Sequence, residues 1–208
     1  MKFLTDNAYS LFVEFTGNVF FKNFTFVGGS AIGYYLGHRL SEDLDFFTWS
    51  DRLPEETETF INTTGRTHRV VIANRSDSLI DLFVDDIKIT LFANNWELLK
   101  SKRRTIEGNI YVADIDLLCA MKVNALSLRA KYRDYYDLYI LNKEKFTLQQ
   151  MLDIAIEYIP GMTKKIFGMQ LTYIDDIVDE SIDHLQPKSN VSLIDIKRHF
   201  EGELKKIL

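Results

Sequence analysis

Runs with the composition of β-strands crowd the first half of this chain, and helical periodicity takes over from Trp96 onward. That segregation admits few folds: a sheet-bearing α+β part followed by a helical part. The strand-like runs are Phe24–Val27, Asp43–Trp49, Arg69–Ala73, Leu79–Val84 and Ile87–Phe92, with Asp85-Asp86 as a hairpin turn between the last two. Helical stripes interleave with them. Ala8, Leu11, Phe12, Phe15 and Val19 share one face, Ser30 opens a stretch that Gly37 stops, and Pro54-Glu55-Glu56 opens one that Gly65 ends. In the second half, Asp114 to about Arg129 predicts the longest helix, and Asp134–Leu141 either continues it or starts another. Leu148 to Ile159 forms a further stripe, stopped by Pro160-Gly161, and Leu193 to Ile207 the last. The expected division is a sheet domain over 1–110 and a helical domain over 111–208.

Charge and cysteine content narrow the function. The 25 basic against 30 acidic side chains leave a net charge of −5, which disfavours a protein that coats nucleic acid without regard to sequence. One cysteine, Cys119, excludes an intramolecular disulfide and any cysteine-rich zinc site. No apolar run approaches the roughly 20 residues that a bilayer span needs, and Met1–Asp6 lacks the apolar core of a signal peptide. A cytoplasmic protein with no membrane partner is expected.

Three groups of residues could carry chemistry. The first is a strand, then Gly28-Gly29-Ser30, a helix, and Asp43-Leu44-Asp45. Two glycines before a helix let backbone amides approach a ligand, and a helix N-terminus suits a phosphate. Residues two apart on a strand point the same way, so Asp43 and Asp45 project together while Leu44 and Phe46 face the core. Two adjacent carboxylates repel unless a cation lies between them, and a hard divalent ion, most naturally Mg²⁺, resolves that. Each feature alone is as compatible with a plain turn or a solvated strand face. Their combination points to nucleoside triphosphate chemistry.

The second group is Lys122, Arg129, Arg133 and Asp137. On an unbroken helix Arg129 and Arg133 each lie about 20° from Lys122, and Asp137 about 60° away. The resulting polar face either meets an anion or is a solvated surface; a helix break near Lys131 removes Asp137 from it. The third is Lys100-Ser101-Lys102-Arg103-Arg104, a solvated loop or a contact for a polynucleotide or phosphate tail. His38 reads as a proton carrier or, more commonly for a lone histidine, a structural residue. No P-loop, nucleophile elbow or dinucleotide fingerprint is present.

Val27-Gly28-Gly29-Ser30-Ala31 followed by Gly37-His38-Arg39-Leu40-Ser41-Glu42-Asp43-Leu44-Asp45-Phe46-Phe47 resembles the signature of the polymerase-beta-like nucleotidyltransferases, more narrowly the AbiEii/AbiGii-type toxin group. Asp116 to Leu141, with Ala120-Met121-Lys122, Arg129-Ala130-Lys131 and Arg133-Asp134-Tyr135-Tyr136-Asp137, is similar to that group's second signature. The resemblance spans roughly residues 24 to 142; the remainder matches only in being helical.

It implies a nucleotidyltransferase core, a mixed sheet with flanking helices, followed by a helical C-terminal domain that completes the active site. Gly28, Gly29 and Ser30 would hold the triphosphate. Asp43 and Asp45 would bind Mg²⁺. Lys122, with Arg129 and Arg133, would contact the nucleotide, and Asp137, with Asp134, would complete the site. A substrate hydroxyl of an RNA, tRNA first among them, or of a protein would attack the α-phosphorus. The protein would be the toxin of a toxin–antitoxin or phage-defence pair, with a cognate antitoxin. One departure stands out: the wider superfamily has a third carboxylate near the incoming hydroxyl, where this chain reads Ile89-Thr90-Leu91. Asp81 on the preceding strand is a substitute, and Asp137 is the expected base. The departure also motivates an alternative, a nucleotide-binding regulatory module without turnover.

Overall fold

The computed structural model describes residues 2–178 and 180–207. Its contacts divide the chain into two compact units, one of Met1–Tyr35 with Leu40–Asp114, the other of Leu36–Arg39 with Ile115–Leu208.

The first unit holds a seven-stranded mixed sheet. Its strands are β1 (Thr25–Val27), β2 (Leu44–Thr48), β3 (Val70–Arg75), β4 (Leu79–Val84), β5 (Ile87–Ala93), β6 (Arg103–Glu107) and β7 (Ile110–Ala113), in the order β3-β4-β5-β2-β1-β7-β6. β1 runs antiparallel to β2 and parallel to β7, and β2 runs parallel to β5. Helices α1 (Asp6–Thr16), α2 (Gly28–Leu36), α3 (Thr57–Thr64) and the short α4 (Leu98–Ser101) belong to the same unit, α2 through Tyr35. Aromatic packing anchors it. Phe46 of β2 meets Phe21 at 4.5 Å between ring centroids and Phe26 of β1 at 5.3 Å, and Phe20 stacks on Phe60 of α3 at 4.5 Å. Val19 leaves the α1 stripe: the helix stops at Thr16, a 3₁₀ turn follows over Val19–Asn23, and Val19 is exposed.

The β6–β7 hairpin corrects the sequence reading, which placed only helices after Trp96. It turns at Gly108, whose φ of +53° and contact with the Thr16 carbonyl leave no room for a side chain. Its first strand starts with Arg103 and Arg104, the last two residues of the basic run, whose Lys100 and Ser101 close α4. Arg103 lies between the rings of Trp49 and Tyr111, at 4.6 and 4.2 Å, and donates to the Phe24 carbonyl at 2.8 Å. Arg104 covers the Tyr35 ring and donates to its hydroxyl at 2.8 Å. Lys100 Nζ also lies 5.6 Å from the Trp49 ring centroid, so three of the four cations read as a solvated run are partners of aromatic rings.

The second unit is helical: α5 (Ile115–Arg129), α6 (Tyr132–Glu144), α7 (Leu148–Tyr158), α8 (Lys164–Thr172) and α9 (Leu193–Ile207). α5 packs on α6, α7 and α8, and α9 on α6, α7 and α8. α5 and α6 are separate helices. Lys131 is extended, at φ −128° and ψ 158°, and its N–H is capped by the Asp134 carboxylate at 3.1 Å. The unbroken polar face is therefore absent: Lys122 is buried, Arg129 exposed and Arg133 half-buried.

Candidate active site

The first group of functional side chains is built by the strand register. Val27, the last residue of β1, pairs with Asp45 of β2, so α2 begins beside the Asp45 carboxylate. Gly28 has φ +77°, and a Cβ there would run into Asp45 Oδ2. Only glycine gives both the backbone turn and the space. Along β2, Leu44 and Phe46 are buried while Asp45 and Phe47 stand half-buried on the other face, as the alternation predicts. Asp43 lies just before the strand and is also half-buried. The Ser30 hydroxyl donates to the Asp43 carbonyl, which ties the approach of β2 to the first turn of α2. Toward a phosphate, what remains at this helix start is its first-turn backbone N–H groups.

The same register extends across the sheet. Asp45 pairs with Thr90 on β5, Thr90 with Asp81 on β4, and Asp81 with Asn74 on β3. Paired residues share a face, so these four form one row. The Thr90 hydroxyl donates to Asp81 Oδ1 at 2.9 Å, Asn74 Nδ2 donates to Oδ2 at 3.1 Å, and Lys88 Nζ lies 3.3 Å from Oδ1. Partial burial would raise the Asp81 pKa, but the Asn74 and Thr90 hydrogen bonds and the Lys88 charge outweigh it and hold the carboxyl below its usual range.

The second group lies in the helical unit. Asp137 on α6 has no exposed surface. Arg39 grips it with two parallel bonds, Nε to Oδ1 at 2.8 Å and Nη2 to Oδ2 at 2.9 Å, while His38 Nε2 contacts Oδ1 at 2.7 Å. Lys122 Nζ on α5 reaches Asp137 Oδ2 and Asp134 Oδ1, each at 2.9 Å. Burial would raise the Asp137 pKa, yet the Arg39 and Lys122 charges and the His38 contact hold it well below the usual carboxylate range. Burial lowers the His38 pKa against the opposing pull of Asp137, whereas for Lys122 burial is overcome by Asp137 and Asp134, which raise its pKa. Two cations and two anions balance. An ammonium has three N–H donors, and those of Lys122 serve two carboxylates, so one remains.

The expected base role for Asp137 does not fit these surroundings. A fully buried carboxylate held by an arginine fork is a poor proton acceptor at neutral pH. Asp137 is better described as the residue that holds Lys122. The helix break has the opposite consequence from the one sequence geometry suggests, because α6 brings Asp134 and Asp137 back onto Lys122. His38 and Arg39 are the residues sequence reasoning underrated. Their partner is almost a hundred positions away, and no local pattern announces that contact.

A seven-stranded mixed sheet with its Gly-Gly helix start registered to Asp45, and helices after it, is the α+β architecture expected of a polymerase-beta-like nucleotidyltransferase. A Helicobacter pylori protein assigned as a nucleotidyltransferase shares the fold, with a TM-score of 0.51 at 20% identity over 98% of this chain and 97% of that one. A nucleotidyltransferase toxin from Mycobacterium tuberculosis aligns over 97% of this chain and 84% of its own, at 15% identity and a TM-score of 0.48. An uncharacterized protein of Aquifex aeolicus is 26% identical over 167 residues, 79% of this chain and 80% of its own. The family model of the nucleotidyl transferase AbiEii toxin of type IV toxin–antitoxin systems matches residues 11–208. The chain belongs to that family, and it is a nucleotidyltransferase. Among the described residues no helix is long and apolar enough to cross a membrane.

Proposed function

We propose that this enzyme transfers a nucleotide from a nucleoside triphosphate to a hydroxyl of an RNA, tRNA first among candidates, or of a protein, and that it does so as a cytoplasmic toxin countered by an antitoxin. The observation that carries this reading is the contact of Gly28 with Asp45, which puts the helix-start amides and a carboxylate at one place. Asp43 and Asp45 supply hard oxygen donors. Two carboxylates completed by substrate phosphates are the usual protein share of a Mg²⁺ site. Among the described residues no group of three or more histidine, cysteine or carboxylate side chains is placed to hold a metal, so Asp43 and Asp45 would need phosphate oxygens to complete the site.

When bound, Mg²⁺ would neutralise charge on the phosphates and on the departing pyrophosphate. The chain's own residues do the rest. Amides at Gly28, Gly29 and Ser30 bind phosphate oxygens. Lys122, Arg129 and Arg133 enter through the family resemblance, as cations for the nucleotide. Asp137 orients Lys122. The hydroxyl then attacks the α-phosphorus in line with the leaving pyrophosphate.

The test is transfer of label from each nucleoside triphosphate, labelled at the α-phosphorus, to total tRNA or lysate proteins, with Asp43→Ala alongside. Label on one macromolecule, absent with the variant, is the expected result. Nucleotide binding without transfer by the unaltered protein would favour the regulatory module instead.

A further inference from the structure

The geometry points to Thr90 as the group that receives the proton of the attacking hydroxyl, with Asp81 behind it as the final acceptor; this rests on the transferase reading above. Transfer to phosphorus requires the hydroxyl to lose its proton, and Asp137 does not suit that task. Thr90 stands directly beside Asp45 in the β2–β5 register and on the same face. Neighbouring strands lie about 4.8 Å apart, so Thr90 is the β5 side chain that stands across from Asp45 on this face, where a substrate oxygen would approach.

The direction of the Thr90–Asp81 bond follows from chemistry. An ionised carboxylate has no hydrogen to give, so Thr90 donates and its own lone pairs stay open as acceptors. Asn74 holds the other oxygen of Asp81, Oδ2, and Lys88 lies beside Oδ1, which keeps the carboxylate from swinging away. In the step, the O–H bond of the substrate breaks as its oxygen bonds to phosphorus and the bond to pyrophosphate breaks. The released proton passes to Thr90 Oγ1 while the hydrogen of Thr90 passes to Asp81 Oδ1. Asp81 keeps 13% of its side chain exposed, enough to return that proton to water. A two-residue relay thus stands where a single carboxylate would otherwise serve.

Four variants test it: Thr90→Val, Thr90→Ser, Asp81→Asn, and Thr90→Asp combined with Asp81→Asn. Both turnover and nucleotide dissociation constants are measured. Thr90→Val is expected to lower kcat about 100-fold or more, the usual worth of a positioned base, with nucleotide affinity within about threefold. Thr90→Ser keeps the hydroxyl and most of the rate. Asp81→Asn lowers kcat by about tenfold or more, and Thr90→Asp in that background restores it, because the carboxylate then sits at the register position itself.

Thr90→Val turning over at the unaltered rate would overturn the relay, as would a loss confined to nucleotide affinity or a failure of Thr90→Asp to rescue. Asp45→Asn separates the levels. If it abolishes transfer while Thr90→Val does not, only the relay fails; if the unaltered protein transfers nothing, the transferase reading fails and the relay with it.

Discussion

At the scale of single residues, the buried ionic cluster around Asp137 carries the largest stability consequence. Removing one member of a buried pair leaves the others desolvated, which costs about 3–5 kcal/mol. Asp137→Asn is expected to lose about that much, seen as a lower urea midpoint with an unchanged slope. The pH dependence has a definite sign. The Asp137 pKa is depressed in the fold, so its stabilisation is complete above the ordinary carboxylate value of about 3.9 and fades as pH falls toward the depressed one. Stability curves of protein and variant should therefore converge in acid. At this scale the sequence was legible where the chemistry is local. Leu44 and Phe46 inward with Asp45 outward follows from a two-residue period alone. It was illegible where partners are distant in the chain, as for Arg39 with Asp137.

At the scale of elements, the missed β6–β7 hairpin shows how charge masked a strand. Arg103 and Arg104 read as solvated because nothing nearby in sequence offers them aromatic faces; Trp49, Tyr111 and Tyr35 do so only after folding. Arg103→Ala is expected to cost about 1–3 kcal/mol, from lost cation–π contacts and charged hydrogen bonds, while Lys100→Ala, whose exposed ammonium has only a 5.6 Å approach to the Trp49 ring, should cost less than about 1. Equal effects in thermal melts would contradict the structural role given to Arg103. A second link joins α1 to the β4–β5 turn: His68 Nδ1 meets Asp85 at 2.6 Å and Nε2 meets Glu14 at 3.0 Å. The Asp85 hydrogen bond, followed by Glu14, raises the His68 pKa against modest desolvation. A raised histidine stabilises fully below its ordinary value of about 6.5 and loses that contribution as pH climbs through the elevated one. The gap in melting temperature between the protein and His68→Gln should be widest near pH 6 and narrow on the alkaline side. A gap that widens with pH would reverse the sign assigned to this link.

At the scale of the whole molecule, the chain does not divide at one point. Leu36–Arg39, in the middle of the sheet-bearing sequence, belongs with the helical unit. The reason is chemical. Asp137 needs Arg39 and His38, which lie between the glycine turn and the aspartate pair in sequence, and the Lys188 N–H donates to the His38 carbonyl at 2.8 Å. A boundary drawn near residue 110 from the change in periodicity could not include them, because four residues are too few to show a period. The consequence is testable by dissection. A fragment of residues 115–208 keeps the apolar stripes of α5 to α9 but leaves Asp137 without its guanidinium. Lys122 alone then faces both Asp134 and Asp137, an excess of buried negative charge. This fragment is expected to retain helical circular dichroism and to lack a cooperative urea transition. Asp137→Leu within the fragment removes the uncompensated carboxylate and leaves Lys122 paired with Asp134, so it should restore part of the cooperativity. A fragment that unfolds as sharply as the full chain would show that the helical unit stands without its borrowed arginine.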